Sequence, residues 1–306
     1  MSKIKKKKKS NFSVAAVYFI TIFVFLLILS FVAYFILSQF VFPKVLDKDD
    51  KNIKGLEYAP NKEDARTILF VGQDDNVLNL LMLVRIQPVT CEVLCVPVPI
   101  NTIAKINTKE TTLKNFYEKD GLTALCTAVE NSFGTPVERY MVVDKNNFND
   151  IVKAMGGISF PLPFDMNYEN KSTGEITDLK SKDTNVVYFG DDLRKIMTYP
   201  LSQDMQDFTV NASGSIIAKL INETAKNKHT VINNLDSLFE TLLNSAQTNI
   251  SKSDFDLAKK DIIYILNKNA NPASYDVPSG KWNKDGTFVL SSIFKAELKQ
   301  YFNLVG

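Results

Sequence analysis

Two adjacent carboxylates, Asp74 and Asp75, come one glutamine after the apolar run "TILFVG" (67–72) and are the first candidates for chemistry. A carboxylate at the carboxyl end of a buried strand lies where open α/β sheets bind ligands. Its oxygens are the ligands that Mg²⁺ prefers. The alternative is that "GQDDN" is a solvated turn. The residues by themselves leave both interpretations open.

Arginine is scarce, which limits the sites that this chain can build. There are four arginines, Arg66, Arg85, Arg139 and Arg194. A site that grips a pyrophosphate usually needs guanidinium groups, because each can form two parallel hydrogen bonds to a phosphate. Lysine is abundant, but it acts as a point charge and its scatter is typical of a solvated surface.

The single histidine, His229, lies in the polar segment "KNKHTV" between two predicted helices. This setting favours a surface residue over a catalytic base. One histidine nearly excludes a Ser-His-Asp triad or a histidine-rich metal site. The sequence also has no P-loop and no dinucleotide-binding fingerprint.

Three cysteines, Cys91, Cys95 and Cys126, do not make a disulfide framework. Cys91 and Cys95 are too far apart to bond each other, because they are four residues apart on one predicted strand. Cys126 could pair with either, but buried free thiols are the simpler interpretation.

The elements that must position these groups begin with three short apolar runs, "TILFVG", "LLMLVRI" and "CEVLCVPV". The segment "QPVT" between the second and third predicts a hairpin connection. Because the runs are apolar on both faces, they predict central strands covered by helices on each side. The third run continues into "PINT", a polar turn where many α/β enzymes place catalytic groups.

Segments with the longer, helical period of apolar residues follow these strands. The segment "GLTALCTAVENSFG" (121–134) predicts a helix that stops at Gly134. "VERYMVV" predicts a strand, and "DKNNFNDIVKAMGG" a helix with Asp144 as N-cap and Gly156 as its stop.

The second half is predicted to be mostly helical. Residues 165–188 are polar and predict a long surface excursion, and residues 191–268 predict helices, the last of them capped by Ser251 and Asp254. A strand pair around "NKDG" and a terminal helix complete the chain.

The N-terminal region predicts a membrane anchor. Residues 1–11 hold six lysines and no acid, and residues 12–43 have no charged side chain. This run exceeds the roughly 20 apolar residues that a transmembrane helix needs. The alternative, a cleaved signal peptide, has a much shorter apolar region and a small-residue cleavage site. Residues 44–65 are charged, lack apolar periodicity and predict a stalk, so the folded domain is predicted to span 66–306.

The lysines predict the orientation of this anchor, because basic flanks of a first span stay cytoplasmic. The domain is then extracytoplasmic, and the lipid bilayer is a partner. Without the six tail lysines, 30 basic groups face 34 acidic ones. This balance excludes nucleic acid as a partner, since no basic sheath is available to neutralise its phosphates.

The order of these features resembles the LytR-CpsA-Psr domain of bacterial envelope proteins. The resemblance runs from "TILFVG" to "FPLP", and residues 133–158 are its most specific part. Two later segments, "GDDLRKIMTY" and "AQTNISKSDF", resemble the family more weakly. It implies an α/β fold, a central mixed β-sheet flanked by helices on both faces. It also implies an apolar pocket for a polyprenyl-pyrophosphate-linked glycan, which such proteins transfer to peptidoglycan with Mg²⁺.

The resemblance also implies site residues. Gly72 and Asp74 match the family's Gly-x-Asp, so Asp74 is a candidate Mg²⁺ ligand. The family's Pro-Arg-Asp-Thr turn falls on "PINT", which keeps Pro99 and Thr102 but replaces arginine by Ile100 and aspartate by Asn101.

The later arginine-rich segment of the family falls on "PLSQDMQDFTVNASG" after Tyr199, which contains no arginine. Asp204 or Asp207 would stand for its carboxylate. The candidate ligand-binding residues are, in chain order, Asp74, Arg85, Asn101, Thr102, Arg194 and Asp204.

Two hypotheses follow. The first is a non-catalytic envelope protein with a degenerate active site, which binds a polyprenyl-(pyro)phosphate glycan or an envelope partner. The second is a divergent Mg²⁺-dependent phosphotransferase in which Arg85, Arg194 and nearby lysines supply the charge. A third possibility is a pure scaffold for other envelope enzymes.

Overall fold

A six-stranded mixed sheet lies at the centre of the part of the chain that the structure, a computed structural model, describes: residues 58–171, 174–182, 186–200 and 206–304. Its strands are β1 (Arg66–Asp74), β2 (Val77–Gln87), β3 (Glu92–Pro97), β6 (Arg139–Val143), β11 (Gln247–Thr248) and β12 (Ala273–Tyr275). Their spatial order is β11-β6-β1-β2-β3-β12. β1, β2 and β3 form an antiparallel meander, whereas β6 runs parallel to β1 and β12 parallel to β3.

Four two-stranded sheets surround it. They pair β4 (Ile103–Ile106) with β5 (Lys109–Thr112), β7 (Ile158–Ser159) with β10 (Val187–Tyr188), β8 (Met166–Asn170) with β9 (Glu175–Leu179), and β13 (Gly280–Trp282) with β14 (Phe288–Leu290). Residues 165–188, predicted as a long polar surface segment, therefore contain the β8–β9 hairpin. That hairpin is anchored because Met166 and Thr177 are buried while its other face is polar.

Helices cover both faces of the central sheet, as predicted. They are α1 (Leu113–Phe133), α2 (Lys145–Met155), α3 (Gly190–Met197), α4 (Gln206–Lys226), α5 (Lys228–Ser245), α6 (Lys252–Lys268) and α7 (Ser292–Leu304). Leu81 and Leu83 of β2 pack in one cluster with α1 and α7. Leu80, on the other face, packs with α2, α3 and α4, because successive side chains of a strand point to opposite faces.

The predicted helix ends are confirmed. Gly134 closes α1 in a left-handed conformation with φ of 72°, and Gly156 closes α2 with φ of 91°. The Asp144 carboxylate accepts two backbone N–H groups at the start of α2. Ser251 and Asp254 form the predicted capping box of α6.

Helix α1 differs from its prediction at the other end. It begins at Leu113, and Thr112 caps it by accepting the N–H of Asn115 at 3.2 Å. Gly121, the predicted start, lies inside it with a non-helical φ of 84°. The sequence pattern detects only the second half because this kink interrupts the helical period.

The folded unit begins at Tyr58, inside the segment predicted as a stalk. The Tyr58 hydroxyl donates a hydrogen bond to Asp261, and its ring packs edge-on against Tyr264. Residues 44–57, the predicted transmembrane helix 12–43 and the tail 1–11 lie outside the described residues. Within the described ranges, none of the helices combines the length and the apolarity that a membrane crossing requires.

All three cysteines are free thiols. Burial raises the pKa of Cys95 to about 12 and that of Cys126 to about 11, and it also raises the pKa of Cys91. These thiols are therefore protonated and unreactive at neutral pH, since the thiolate is the nucleophile.

Candidate functional site

A cavity of about 300 Å³ lies at the end of the central sheet where β3 finishes and β2 begins, and it is called the main cavity because the predicted turn Pro99–Thr102 contributes to its lining. Its walls come from the start of β2, the turn after β3, the first turn of α1, residues 197–200 and the first turns of α4, with Trp282 at one side. The lining mixes apolar side chains such as Leu80 and Val210 with the amides of Asn79 and Asn101. Such a mixture is typical of a small-ligand site.

The turn Pro99–Thr102 is fixed by hydrogen bonds to its neighbours. The Thr102 side chain is buried, and its hydroxyl donates to the Pro99 carbonyl at 2.6 Å. The carbonyls of Ile100 and Thr102 accept the first N–H groups of α1, from Lys114 and Leu113, at 2.9 and 3.0 Å. The turn therefore positions the start of a helix.

Asn101 and Thr102, both predicted ligand-binding residues, have different surroundings. Asn101 lines the main cavity, and its carbonyl accepts the N–H of Phe288 at 3.0 Å. Thr102 does not lie among the cavity residues, and its hydroxyl is committed to its own turn. The threonine holds the turn together, and its role in ligand binding stays a prediction.

Asp74 and Arg194 are brought together beside a second, smaller cavity that adjoins the first. The Arg194 Nη1 lies 3.7 Å from Asp74 Oδ2. Asp74 also accepts the Asn79 side-chain amide at 3.1 Å and the Lys145 backbone N–H at 3.2 Å. Asn79 and Leu80 line both cavities, so this ion pair lies directly behind one wall of the main cavity.

Arg194 is surrounded by carboxylates from three elements. Besides Asp74 at the end of β1, Glu175 of β9 and Asp191 of α3 form ion pairs with its guanidinium. Lys195 pairs with Asp191 at 2.8 Å. Although burial opposes it, hydrogen bonds from Lys195 and Arg194 hold the pKa of Asp191 below its ordinary value. Two cations thus face three carboxylates, and the cluster has a surplus of negative charge.

The prediction of a Mg²⁺ ligand at Asp74 stays a prediction. Across the described ranges no group of three Asp, Glu, His or Cys residues is placed to hold a metal ion, but proteins commonly hold Mg²⁺ by one or two carboxylates together with substrate phosphates and waters. The two oxygens of Asp74 accept hydrogen bonds from Lys145 and Asn79. The predicted ligand Asp204 lies outside the described residues.

Arg85, the other predicted cation, lies at the opposite end of the sheet. It follows Asn79 by six residues on β2, a separation of about 20 Å. Its Nη1 donates to the Thr67 hydroxyl at 2.9 Å and lies 3.5 Å from a Glu138 oxygen. Burial lowers its pKa, and its guanidinium lies over the ring of Phe302. Arg85 is therefore a structural residue of the sheet and cannot supply charge to the cavity.

The sequence pattern did not point to several polar or aromatic cavity residues, among them Lys114, Ser213 and Trp282. Lys114 and Ser213 lie on helices and carry no motif, so no sequence signal identified them. Trp282 is the only tryptophan of the chain, which was the one available signal. Its Nε1–H donates to Asp207 at 2.7 Å, and its ring lies 4.8 Å from that of Phe288.

Comparison with known proteins gives relatives of part of the chain. The polyisoprenyl-teichoic acid–peptidoglycan teichoic acid transferase TagU of Bacillus subtilis is 30% identical over 141 residues, 43% of this chain and 45% of TagU. The transferase TagV of the same organism is 25% identical over 138 residues, 42% of this chain and 35% of TagV. In these matches the chain spans less than half the length of either relative.

Solved structures share the fold. A protein of Eubacterium siraeum described as a candidate transcription regulator has a TM-score of 0.70 at 17% identity, over 84% of this chain and 97% of that one. B. subtilis TagV has a TM-score of 0.62 at 18% identity, over 79% and 96%. Residues 41–300 match the model of the LytR_cpsA_psr family. Because this match covers most of the sequence, the chain belongs to the LytR_cpsA_psr family.

Proposed function

We propose that this chain is a membrane-anchored, extracytoplasmic envelope protein that binds a polyprenyl-linked glycan without transferring it. The proposal rests on the observation that no guanidinium is free to contact a phosphate in the cavity formed by the described residues. Ile100 stands where the family resemblance implies an arginine, and Arg194, which lies behind the cavity wall, is already bound by three carboxylates.

The glycan part of the proposal is supported by the relatives and by the cavity. TagU and TagV are named as transferases that act on polyisoprenyl-linked teichoic acid and peptidoglycan. The cavity of this chain combines an apolar wall with amides and a tryptophan, which suits the junction between a prenyl chain and a sugar.

The non-catalytic part is supported by what phosphoryl transfer requires. Charge that develops on a reacting phosphate must be met by preorganised donors, and loss of one donor typically costs about 2.7–4 kcal/mol of transition-state stabilisation. Ile100 cannot donate a hydrogen bond from its side chain. Arg194 would have to leave its three carboxylates to serve as one.

The anchoring part rests on the sequence. Residues 12–43 contain no charged side chain and follow six lysines. Basic flanks of a first span stay cytoplasmic, so the folded domain would face the envelope, where peptidoglycan and lipid-linked glycans are available. Protease accessibility in intact cells and in lysed cells tests this orientation.

The full-length chain, purified in detergent micelles, tests binding and transfer together. It is incubated with a polyprenyl-pyrophosphate glycan, Mg²⁺ and peptidoglycan oligomers. We expect co-purified glycolipid by native mass spectrometry and no transfer above background. Val210→Trp, which fills the cavity, should abolish binding, whereas Leu257→Trp on the exposed surface of α6 should not. Absence of any bound polyprenyl lipid would favour a pure scaffold.

One observation favours the alternative, a divergent phosphotransferase. Asp74 and Arg194, two of the predicted site residues, meet next to the cavity. Transfer that is lost in Asp74→Asn and kept in the matched variant Asp75→Asn would establish this alternative and overturn the non-catalytic proposal.

A further inference from the structure

The charge of the main cavity is small. Among the described residues that line it, Lys114 is the only one with a charged side chain. The segment "LSQDM" (201–205), next to the lining residue Pro200, contains no basic residue. The Lys114 Nζ lies 3.8 Å from Glu118, whose carboxylate also accepts the Leu78 N–H. Among the described residues, the cavity lining therefore offers one positive side chain, and that charge is partly compensated.

The first turn of α1 adds a partial positive charge at the same place. Helix α1 begins at Leu113, and Lys114 is its second residue. The aligned peptide dipoles of a helix are equivalent to roughly half a positive charge at its N-terminus. Together with Lys114, this suits one negative group at the cavity mouth.

A second negative group would meet repulsion. Asn79 and Leu80 separate the main cavity from the cluster around Arg194, which holds Asp74, Asp191 and Glu175 against two cations. Like charges repel strongly in a partly buried setting because the effective dielectric constant is low. Among the described residues, the cluster has one carboxylate more than it has cations, also when Asp144 and Lys145 of the second cavity are counted. An additional phosphate at this wall therefore meets repulsion, and the Arg194 guanidinium is already paired.

The neutral part of the cavity suits a sugar. The amides of Asn79 and Asn101 line it, and sugar hydroxyls can both donate to and accept from such groups. Trp282 lies at one side, held by Asp207 and packed on Phe288. A tryptophan fixed in this way offers a flat apolar face beside polar groups.

We infer that the cavity selects a prenyl lipid joined to its sugar through one phosphodiester over one joined through a pyrophosphate, with Lys114 as the counter-charge. This inference rests on the proposed function and specifies its ligand. The phosphodiester carries one negative charge, whereas the pyrophosphate linkage carries two. The chain would then recognise a class of lipid-linked sugars other than the pyrophosphate-linked glycans that the family resemblance implies.

The test compares three ligands with the same prenyl chain and sugar: a phosphodiester, a pyrophosphate and an uncharged glycoside. Their binding to the full-length chain in detergent micelles is measured by equilibrium gel filtration of radiolabelled ligand. We expect the phosphodiester to bind about tenfold more tightly than either of the others, a difference of about 1.4 kcal/mol, because it alone matches the single counter-charge of Lys114. Inorganic phosphate at the same concentration should not compete, because it lacks the lipid and the sugar.

Two variants test whether Lys114 supplies the positive charge that pairs with the phosphodiester. Lys114→Gln should weaken the phosphodiester about five- to tenfold and leave the uncharged glycoside unchanged. Lys119→Gln, an exposed lysine of the same helix, is the matched control and should change nothing.

The outcomes separate the inference from the proposal on which it rests. Pyrophosphate binding as tight as or tighter than phosphodiester binding, or no effect of Lys114→Gln, overturns the inference and leaves glycolipid binding intact. Failure of all three ligands to bind overturns the proposed function itself.

Discussion

The carbonyl oxygen of Ile100 accepts the backbone N–H of Lys114 at 2.9 Å, which ties the turn after β3 to the first turn of α1. A side chain at position 100 does not take part in this bond. The turn can therefore keep its conformation when its side chains change, and it places the cavity's lysine next to the position where the family resemblance implies an arginine.

Because the turn does not depend on the side chain at position 100, an arginine placed there is predicted to increase the affinity for a pyrophosphate-linked glycolipid. Ile100→Arg adds a guanidinium at the cavity wall without removing a backbone hydrogen bond, so affinity for a pyrophosphate-linked glycolipid should rise about tenfold or more. The loss of Ile100 from the hydrophobic core should cost about 1 kcal/mol of unfolding free energy. Equilibrium binding and urea denaturation measure the two effects. Ile100→Gln, uncharged and polar, is the control and should show only the loss of stability.

Arg194 is predicted to be needed for stability. Arg194→Met leaves Asp74, Glu175 and Asp191 without their shared cation, so the unfolding free energy should fall by about 2–3 kcal/mol at pH 7. Arg194→Lys retains the charge and should cost less, because one ammonium cannot reach all three carboxylates. Equal losses for the two variants in urea denaturation would contradict a role that depends on charge.

The Asp254 carboxylate predicts a specific loss of stability in acid. Hydrogen bonds from Arg139 and from Ser251 lower its pKa below the unfolded value of about 3.9. Its stabilising contribution is therefore present above about pH 4 and is lost as the pH falls below that value. Asp254→Asn should reduce the unfolding free energy by about 1 kcal/mol at pH 7 and by less at pH 2, where part of the contribution has been lost.

The matched control for this prediction is Asp256→Asn, which removes an exposed carboxylate of the same helix. It should cost less unfolding free energy at pH 7 than Asp254→Asn, because it does not remove the carboxylate that caps the helix. A constant difference between Asp254→Asn and the unmodified chain from pH 7 to pH 2 would contradict the assignment.

Tyr58→Phe tests whether the folded unit includes the end of the predicted stalk. Burial raises the pKa of Asp261, and the hydrogen bond from Tyr58 opposes that rise. Without the hydroxyl, the ionised Asp261 loses a partner, so the variant should lose about 1–2 kcal/mol of unfolding free energy at pH 7. The pKa of folded Asp261 lies above the unfolded value of about 3.9 and rises further without the hydroxyl, so this loss should shrink as the pH falls towards about 4, where folded Asp261 becomes protonated. Tyr168→Phe, on the exposed β8–β9 hairpin, should lose less.

The sequence by itself determined the main elements and the family. Apolar runs on both faces of three strands predicted a covered central sheet, since neither face can then meet water. Gly134, Asp144, Gly156 and Ser251 predicted helix ends correctly, because caps depend on local backbone geometry. The first half of α1 escaped detection because the kink at Gly121 interrupts the helical period. The β8–β9 hairpin did so because its segment is mostly polar although Met166 and Thr177 are buried. The role of Tyr58 depends on Asp261, which lies far away in the chain.

Only the tertiary structure decided which candidates share a site. Asp74 and Arg194 are 120 positions apart yet form an ion pair, whereas Arg85, much nearer in sequence to Asp74, lies at the far end of the sheet. The direction of each strand determines this, because consecutive antiparallel strands bring the end of one beside the start of the next. The same geometry places Asn79, Asn101 and Lys114 around one cavity. Which charges neutralise one another depends on these distances, and no sequence spacing encodes them.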